Sequence, residues 1–327
     1  MLSVSSHITV DRMVGLALML GTGDAVFIPT STSIVPSLVP EEHLVQVNSL
    51  TEFVNPLAYT LLGPFLGGIT IGAVGVGWAL AADSATFAFS ALTVAMIRHR
   101  RLKATDHSSV LEDVREGFRF VRRTRWFWIG LASTSTAVFA TVGALTALLP
   151  FLVKEELGAS AFALGGVYAA GGVGAMAVAF VMGQHGRLLV DPLTAYYIAW
   201  TISCAFMALF GVVFHVWQAV LIAGLCQAAS AVQNVLWFTV QYRLVPEKML
   251  GRVSSLDWTI SLAGLPLSYA IDGPLASAVG TRAALIVTGL AGAVAMAVPV
   301  FVPGALRPER DGSLSTPPAL DKHATAT

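Results

Sequence analysis

The chain has 327 residues, 55% of them hydrophobic and only 12% charged, and its 19 basic and 19 acidic side chains cancel to a formal net charge of zero. Together with a mean hydropathy of +0.74, this excludes an ordinary soluble domain. From Pro192 to Tyr242 there is no Asp, Glu, Lys or Arg, enough apolar chain for two membrane spans of about 20 residues each. Every such run is too long for a barrel strand, so the fold class is all-α, a polytopic helical membrane protein.

In chain order, nine spans are predicted at about 13–36, 47–72, 77–97, 126–150, 160–183, 193–214, 217–241, 254–277 and 282–303. The first carries Asp24 in the run Gly21-Thr22-Gly23-Asp24-Ala25, about 16 Å along the helix and so near mid-bilayer. Pro29 cannot donate to the carbonyl of Ala25, which bends the helix just beyond the acid. An acid inside a bilayer is costly unless it is paired or faces water. Asp24 therefore reads as a proton- or cation-binding carboxylate, or as a buried acid satisfied by neighbouring backbone and hydroxyls.

After the first span comes LVPEEHLVQVNSL, Leu38 to Leu50, which recurs 206 positions later as LVPEKMLGRVSSL with eight of 13 positions identical. Pro56-Leu57-x-Tyr59 followed by Gly63-Pro64 recurs as Pro266-Leu267-x-Tyr269 followed by Gly273-Pro274, after a slip of four residues. Two matches in one order mark two copies of one structural unit. Asp83 and Asp272 fall near the outer ends of their spans, and Glu52 and Asp257 near inner ends. All four read first as structural, with Asp83 the second candidate for a coupling group.

The break at 98–125 holds nine arginines and lysines. Ser109-x-x-Glu112 is a capping box, and Leu111, Val114, Phe118 and Val121 recur at helical spacing. They predict a short amphipathic helix at the inner membrane surface, with a topological anchor or a DNA-binding stripe as other readings. Placing this loop in the cytoplasm puts 16 of the 19 Lys and Arg residues inside, with the N-terminus outside and the C-terminus inside.

In the seventh span Gln227, Ser230, Asn234 and Gln241 share one helix face. Such a stripe faces a cavity, or forms an interhelical hydrogen-bond seam. Ser230 takes the place of Asp24 in the second copy. Phe27, Trp200, Trp237 and Phe238 are candidates for stacking a flat ligand, or for core. Cys204 and Cys226 lie within apolar runs and read as reduced, packed thiols. Enzyme signatures and metal-ligand spacings are absent, so no enzyme, cofactor or metal site is expected. The organisation expected is 1–97 as the remainder of a first half, 98–125 as linker, 126–306 as a six-helix second half, and 307–327 as a disordered tail.

These residues resemble the major facilitator superfamily, and most closely its macrolide-efflux and enterobactin-exporter branch. The likeness lies in GTGDAVFIP, PSLVPEEHLVQVNSL, LLGPFLGG, WALAADSATF and EDVREGFRFVRRTRW. Gly63-Pro64-x-x-Gly67-Gly68 is similar to the antiporter motif of helix five, although Tyr59 stands where that motif often has a glycine. Gly183-Gln184-His185-Gly186-Arg187 resembles a worn second-half gating loop. Ala17 stands where classical drug antiporters carry a fourth-helix arginine. The resemblance implies a twelve-helix architecture lacking its first three helices, and a proton-driven exporter of amphipathic drugs, macrolides or siderophores in a bacterial plasma membrane. Expected partners are the small-molecule substrate, protons and membrane lipid, with no nucleic acid. The alternative is a transport-inactive chain that acts through a partner membrane protein covering the missing helices.

Overall fold

Helix is the only regular structure among the described residues, since in lipid each backbone N–H and C=O must find its partner within the chain. The computed structural model describes residues 15, 18–19, 21–23, 27, 30–31, 34–36, 38–96, 110–186 and 191–314. Its main helices are α1 (Leu44–Pro56), α2 (Gly63–Val74), α3 (Val76–Met96), α4 (Val110–Arg123), α5 (Arg125–Phe151) and α6 (Ala161–His185). They continue with α7 (Pro192–Leu209), α8 (Val216–Leu244), α9 (Glu247–Leu262), α10 (Leu265–Val279), α11 (Thr281–Ala297) and the short α12 (Arg307–Arg310).

Seven helices among the described residues are long and apolar enough to cross a membrane. The chain is a polytopic helical membrane protein. Of the nine predicted spans, 13–36 falls largely outside the described residues. The span at 254–277 is instead two helices, α9 and α10, parted at Ala263 and Gly264. Pro266, at the first turn of α10, has no N–H to continue the ladder from α9.

The two copies of the repeat lose their helical ladder at different prolines: in the second, Pro274, the counterpart of Pro64, lies inside α10, and the break precedes Pro266, the counterpart of Pro56. In the first, Pro64 cannot donate to Thr60, and the chain absorbs the loss in one widened turn, Leu57–Leu62. Gly63 there bonds to the carbonyl of Ala58, five residues back. In the second, the four extra residues between Leu256 and Pro266 fall at the break itself. Both copies then end alike, at Gly75 (φ 90°) and Gly280 (φ 86°), a backbone state that glycine adopts without strain.

The second half is the packed body. Helix α8 lies against α6 and α7, and α11 against α7 and α5, while α5 also meets α9 and α10. Small residues let the backbones close up: a Cβ at Gly174 would meet the backbone of Gly224, and one at Gly292 the Thr141 methyl at 2.6 Å. Toward the linker end, Phe127, Tyr196, Tyr197 and Trp237 form the aromatic core, with Tyr196 stacked on Trp237 at 4.9 Å between centroids. Tyr196 and Thr134 share a hydrogen bond of 2.7 Å.

The first half touches this body through α1. Helices α2 and α3 have no buried residues and pack against each other. The segment expected to be disordered from Arg307 is in fact docked as far as Leu314, and the rest lies outside the described residues. Glu309 accepts from Leu193 N and, at 2.9 Å, from Thr194 N, and its other oxygen accepts from the Thr194 hydroxyl at 2.7 Å. An acid at the open N–H groups of a helix start is well placed electrostatically. Leu314 is buried in the aromatic core, and its carbonyl accepts from Arg243.

Gly186 ends α6 with φ 62°, and a Cβ there would collide with the Gln46 amide of α1. Gly186→Ala is therefore expected to destabilise the fold by about 1–2 kcal/mol from the left-handed backbone alone, and by more from the clash. Thermal unfolding of the purified chain in detergent checks this, against Gly158→Ala, which has the same φ sign and open space.

Candidate functional site

Helix α8 carries the polar groups that join the two halves. Asn234 Nδ2 donates to Glu52 Oε2 on α1 at 3.2 Å, and Gln233 Nε2 donates to Asn234 Oδ1 at 2.7 Å. About one turn nearer the linker end, Asn48 Nδ2 of α1 donates to the Thr239 hydroxyl at 2.8 Å. On the other side, Trp237 Nε1 and Gln241 Nε2 both donate to Asp257 Oδ2 of α9, at 2.9 and 2.6 Å. Ser261 Oγ donates to Asp257 Oδ1 at 3.4 Å. Asp257 is 6% exposed.

Beside this seam is a cavity of about 200 Å³. Trp200, Trp237, Phe238 and Trp258 supply ring surface, and Thr134, Gln233, Asn234, Asp257 and Ser261 supply polar atoms. Such a mixture binds a ligand with a flat apolar body and a few polar groups. A second cavity, of about 150 Å³, lies between the halves, where Pro56 and Thr60 face Gly171, Gly172, Tyr168 and Gln227.

The predicted polar stripe divides between its two readings. Gln227 lines the smaller cavity, whereas Asn234 and Gln241 bond to neighbouring helices, and Ser230 is half-buried between them. Trp200, Trp237 and Phe238 line the larger cavity, while Phe27 is 56% exposed. Asp24 and Arg187 lie outside the described residues. Asp83 is exposed on α3, and neither cavity reaches it. Gly63 and Pro64 follow the widened turn, and a Cβ on Gly67 or Gly68 meets nothing. Gly183 and Gly186 pack against Ser49 and Gln46 of α1. Nearby, Arg243 pairs with Glu41 at 3.3 Å, so the linker end of the two halves is held together.

Hydropathy edges place Glu52 and Asp257 near the inner ends of their spans, but α9 begins at Glu247, so Asp257 lies about 15 Å along its helix. The usable signal was Trp237: an indole N–H buried in a span requires an acceptor.

Replacing Asp257 by Leu strands the Trp237 and Gln241 donors and is expected to cost about 2–4 kcal/mol. Asp257→Asn keeps one acceptor oxygen and should cost less than half of that. Thermal unfolding of the two variants side by side reads the difference; equal losses would mean that size, not acceptance, matters there.

A family model described as transmembrane secretion effector matches residues 1–316. The chain is 27% identical over 269 residues to the uncharacterized MFS-type transporter y4rN of Sinorhizobium fredii, covering 79% of this chain and 64% of that one. It is 26% identical over 308 residues to the enterobactin exporter EntS of Salmonella choleraesuis, covering 93% and 72%. It is 27% identical over 315 residues to the multidrug efflux pump Tap of Mycolicibacterium fortuitum, covering 88% and 72%. The chain thus spans 64% to 72% of the length of these relatives. No solved structure matches it.

Proposed function

The chain belongs to the transmembrane secretion effector family of major facilitator transporters, and on that premise we propose that it exports amphipathic small molecules in exchange for protons. The observation that carries this reading is the larger cavity, where four aromatic rings surround one buried carboxylate and two amides. Ring faces take the apolar body of a drug-like molecule, and the acid and amides fix its polar or cationic groups. The exporter and efflux pump among the relatives support the outward direction. The face bearing the arginine-rich linker is then the cytoplasmic one.

Coupling falls to acids held by neutral donors. Among the described residues, Glu52 accepts from Asn234, and Asp257 from Trp237, Gln241 and Ser261. As carboxylates they only accept; a proton turns either one into a donor facing donors. Protonation therefore loosens the grip of α8 on α1 at Glu52 and on α9 at Asp257. Opening the cytoplasmic end further requires parting Arg243 from Glu41 and α6 from Gln46 and Ser49. Asp24, opposite Ser230 by the repeat, is assigned to the same pathway with Gln227 and Asn234. Asp83 is the reserve coupling acid.

Expression in a bacterium stripped of its own exporters tests this, with ethidium and erythromycin as probes. Cells making the chain should retain several-fold less ethidium, and a proton uncoupler should erase the difference. Asp24→Asn and Glu52→Gln should each abolish it with the protein still in the membrane. Retention that ignores the uncoupler would overturn proton coupling.

A further inference from the structure

A second buried acid, Asp272 on α10, plays no part in either cavity. It is 3% exposed, and among the described residues its hydrogen-bond partner is Ser268, whose hydroxyl donates to Oδ2 at 3.3 Å. Room for the pair is made by the facing helix. Gly143 of α5 lies directly opposite, and a Cβ there would strike both the Asp272 carboxylate and the Ser268 hydroxyl.

The pair mirrors the one at Asp257. There, too, a serine four residues away donates to the acid. The order is Asp257-x-x-x-Ser261, then six residues, then Ser268-x-x-x-Asp272. At 100° per residue these four positions fall within about 60° of one another. All four are buried. At the centre of the stripe is Gly264, at the helix break, where the Phe139 ring of α5 comes within 3.1 Å of the position of a Cβ. Following α5 from Thr134 through Phe139 to Gly143 thus follows the stripe from Asp257 through Gly264 to Asp272.

We propose that this face of α9 and α10 is a proton path in two segments, Asp272 with Ser268 and Asp257 with Ser261, kept apart by Phe139 on Gly264. The inference rests on the proton-coupled reading above and adds the route. A proton arriving from the outer side converts the Asp272 carboxylate to the acid. Ser268 passes a proton on by exchanging its own, water carries it past the gap, and Ser261 delivers it to Asp257. Release to the cytoplasmic side restores the carboxylate. No electron moves and no other bond breaks. The gap from Ser261 to Ser268 is seven residues, about 10 Å of helix, which is about three waters in a hydrogen-bonded file. With the Phe139 ring in place, that file is interrupted. Displacement of the ring, when α5 moves against the break, joins the two segments once per cycle and prevents a standing leak.

The test needs no transported substrate. The full chain is reconstituted in liposomes holding a trapped pH-sensitive dye, and an imposed pH gradient is followed. The parent chain should hold the gradient. Phe139→Ala opens a space wide enough for water and should dissipate it several-fold faster, whereas Phe139→Leu should stay tight. Adding Asp272→Asn to Phe139→Ala should abolish the leak. A tight Phe139→Ala chain overturns the proposal, as does a leak that survives Asp272→Asn. Should Phe139→Ala not reconstitute, Phe139→Val is read by the same rule. Ethidium efflux by the parent chain is measured in parallel. Its absence counts against the exporter reading, while the leak alone decides the path.

Discussion

In a bilayer an acceptor without a donor has no water to turn to, and Asp257 sits where that constraint is most severe. Two donors on α8, the Trp237 indole and the Gln241 amide, converge on one of its oxygens. Trp237 can make that bond only if its ring is fixed, and the ring is fixed by stacking on Tyr196 and Phe127. Tyr196 in turn is held by Thr134 of α5. A single acid thereby ties α9, α8, α7 and α5 into one layer at the linker end. On the opposite flank of α8 the same logic runs through Asn234 to Glu52 and through Thr239 to Asn48, and it secures the first half to the second. Removing the acid would release more than one helix pair, because each member of the chain of contacts locates the next.

The internal repeat shows how one sequence unit comes to serve two purposes. Under the 206-residue offset, Glu52 corresponds to Trp258 and Asp257 to Thr51. The acids are therefore not equivalents; they sit one position apart on related helices and reach α8 from different sides. The four-residue insertion in the second copy separates α9 from α10 and gives that copy a break, where the first has only a widened turn. An insertion of four residues is close to one helical turn, so Ser268 and Asp272 keep their register with Asp257 across it. The break therefore interrupts the backbone ladder without rotating the buried face away from α5.

Much of this fold was legible in hydropathy, because burial in lipid demands long apolar runs and leaves few alternatives to helix. The membership of the chain was legible in the motifs around Gly63-Pro64 and the LVPE repeat, and the match over residues 1–316 agrees with it. What hydropathy cannot register is geometry inside a run. The window over 254–277 saw apolar residues on both sides of Gly264, and nothing in an average marks a missing N–H at Pro266. Depth suffered likewise: Asp257 seemed close to an edge because the polar first turns of α9, Glu247 to Arg252, were excluded from the span. For Arg307 to Leu314, composition is silent too, since Pro, Ser and charge give no hint that Glu309 finds three donors at the start of α7.

The exposed hairpin α2–α3 marks the other limit of what packing fixes. Lipid is as apolar as a leucine side chain, so apolar surface alone gives no drive to dock. Docking needs close backbone approach or polar pairing. Helix α1 has both: Gly183 and Gly186 admit it at one end, Gly172 meets Pro56 and Thr60 at the other, and Asn48 and Glu52 bond between them. Among the described residues, nothing lies within 4 Å of a Cβ on Gly67, Gly68 or Gly72 of α2, and the Thr70 hydroxyl of α2 bonds within its own helix. The change falls at the widened turn Leu57–Leu62, where the ladder is already loosened by Pro64. The glycine–proline pair of the antiporter-like motif therefore sits between a segment pinned to the second half and one that is not. A bend at that pair would leave the contacts of α1 with the second half in place.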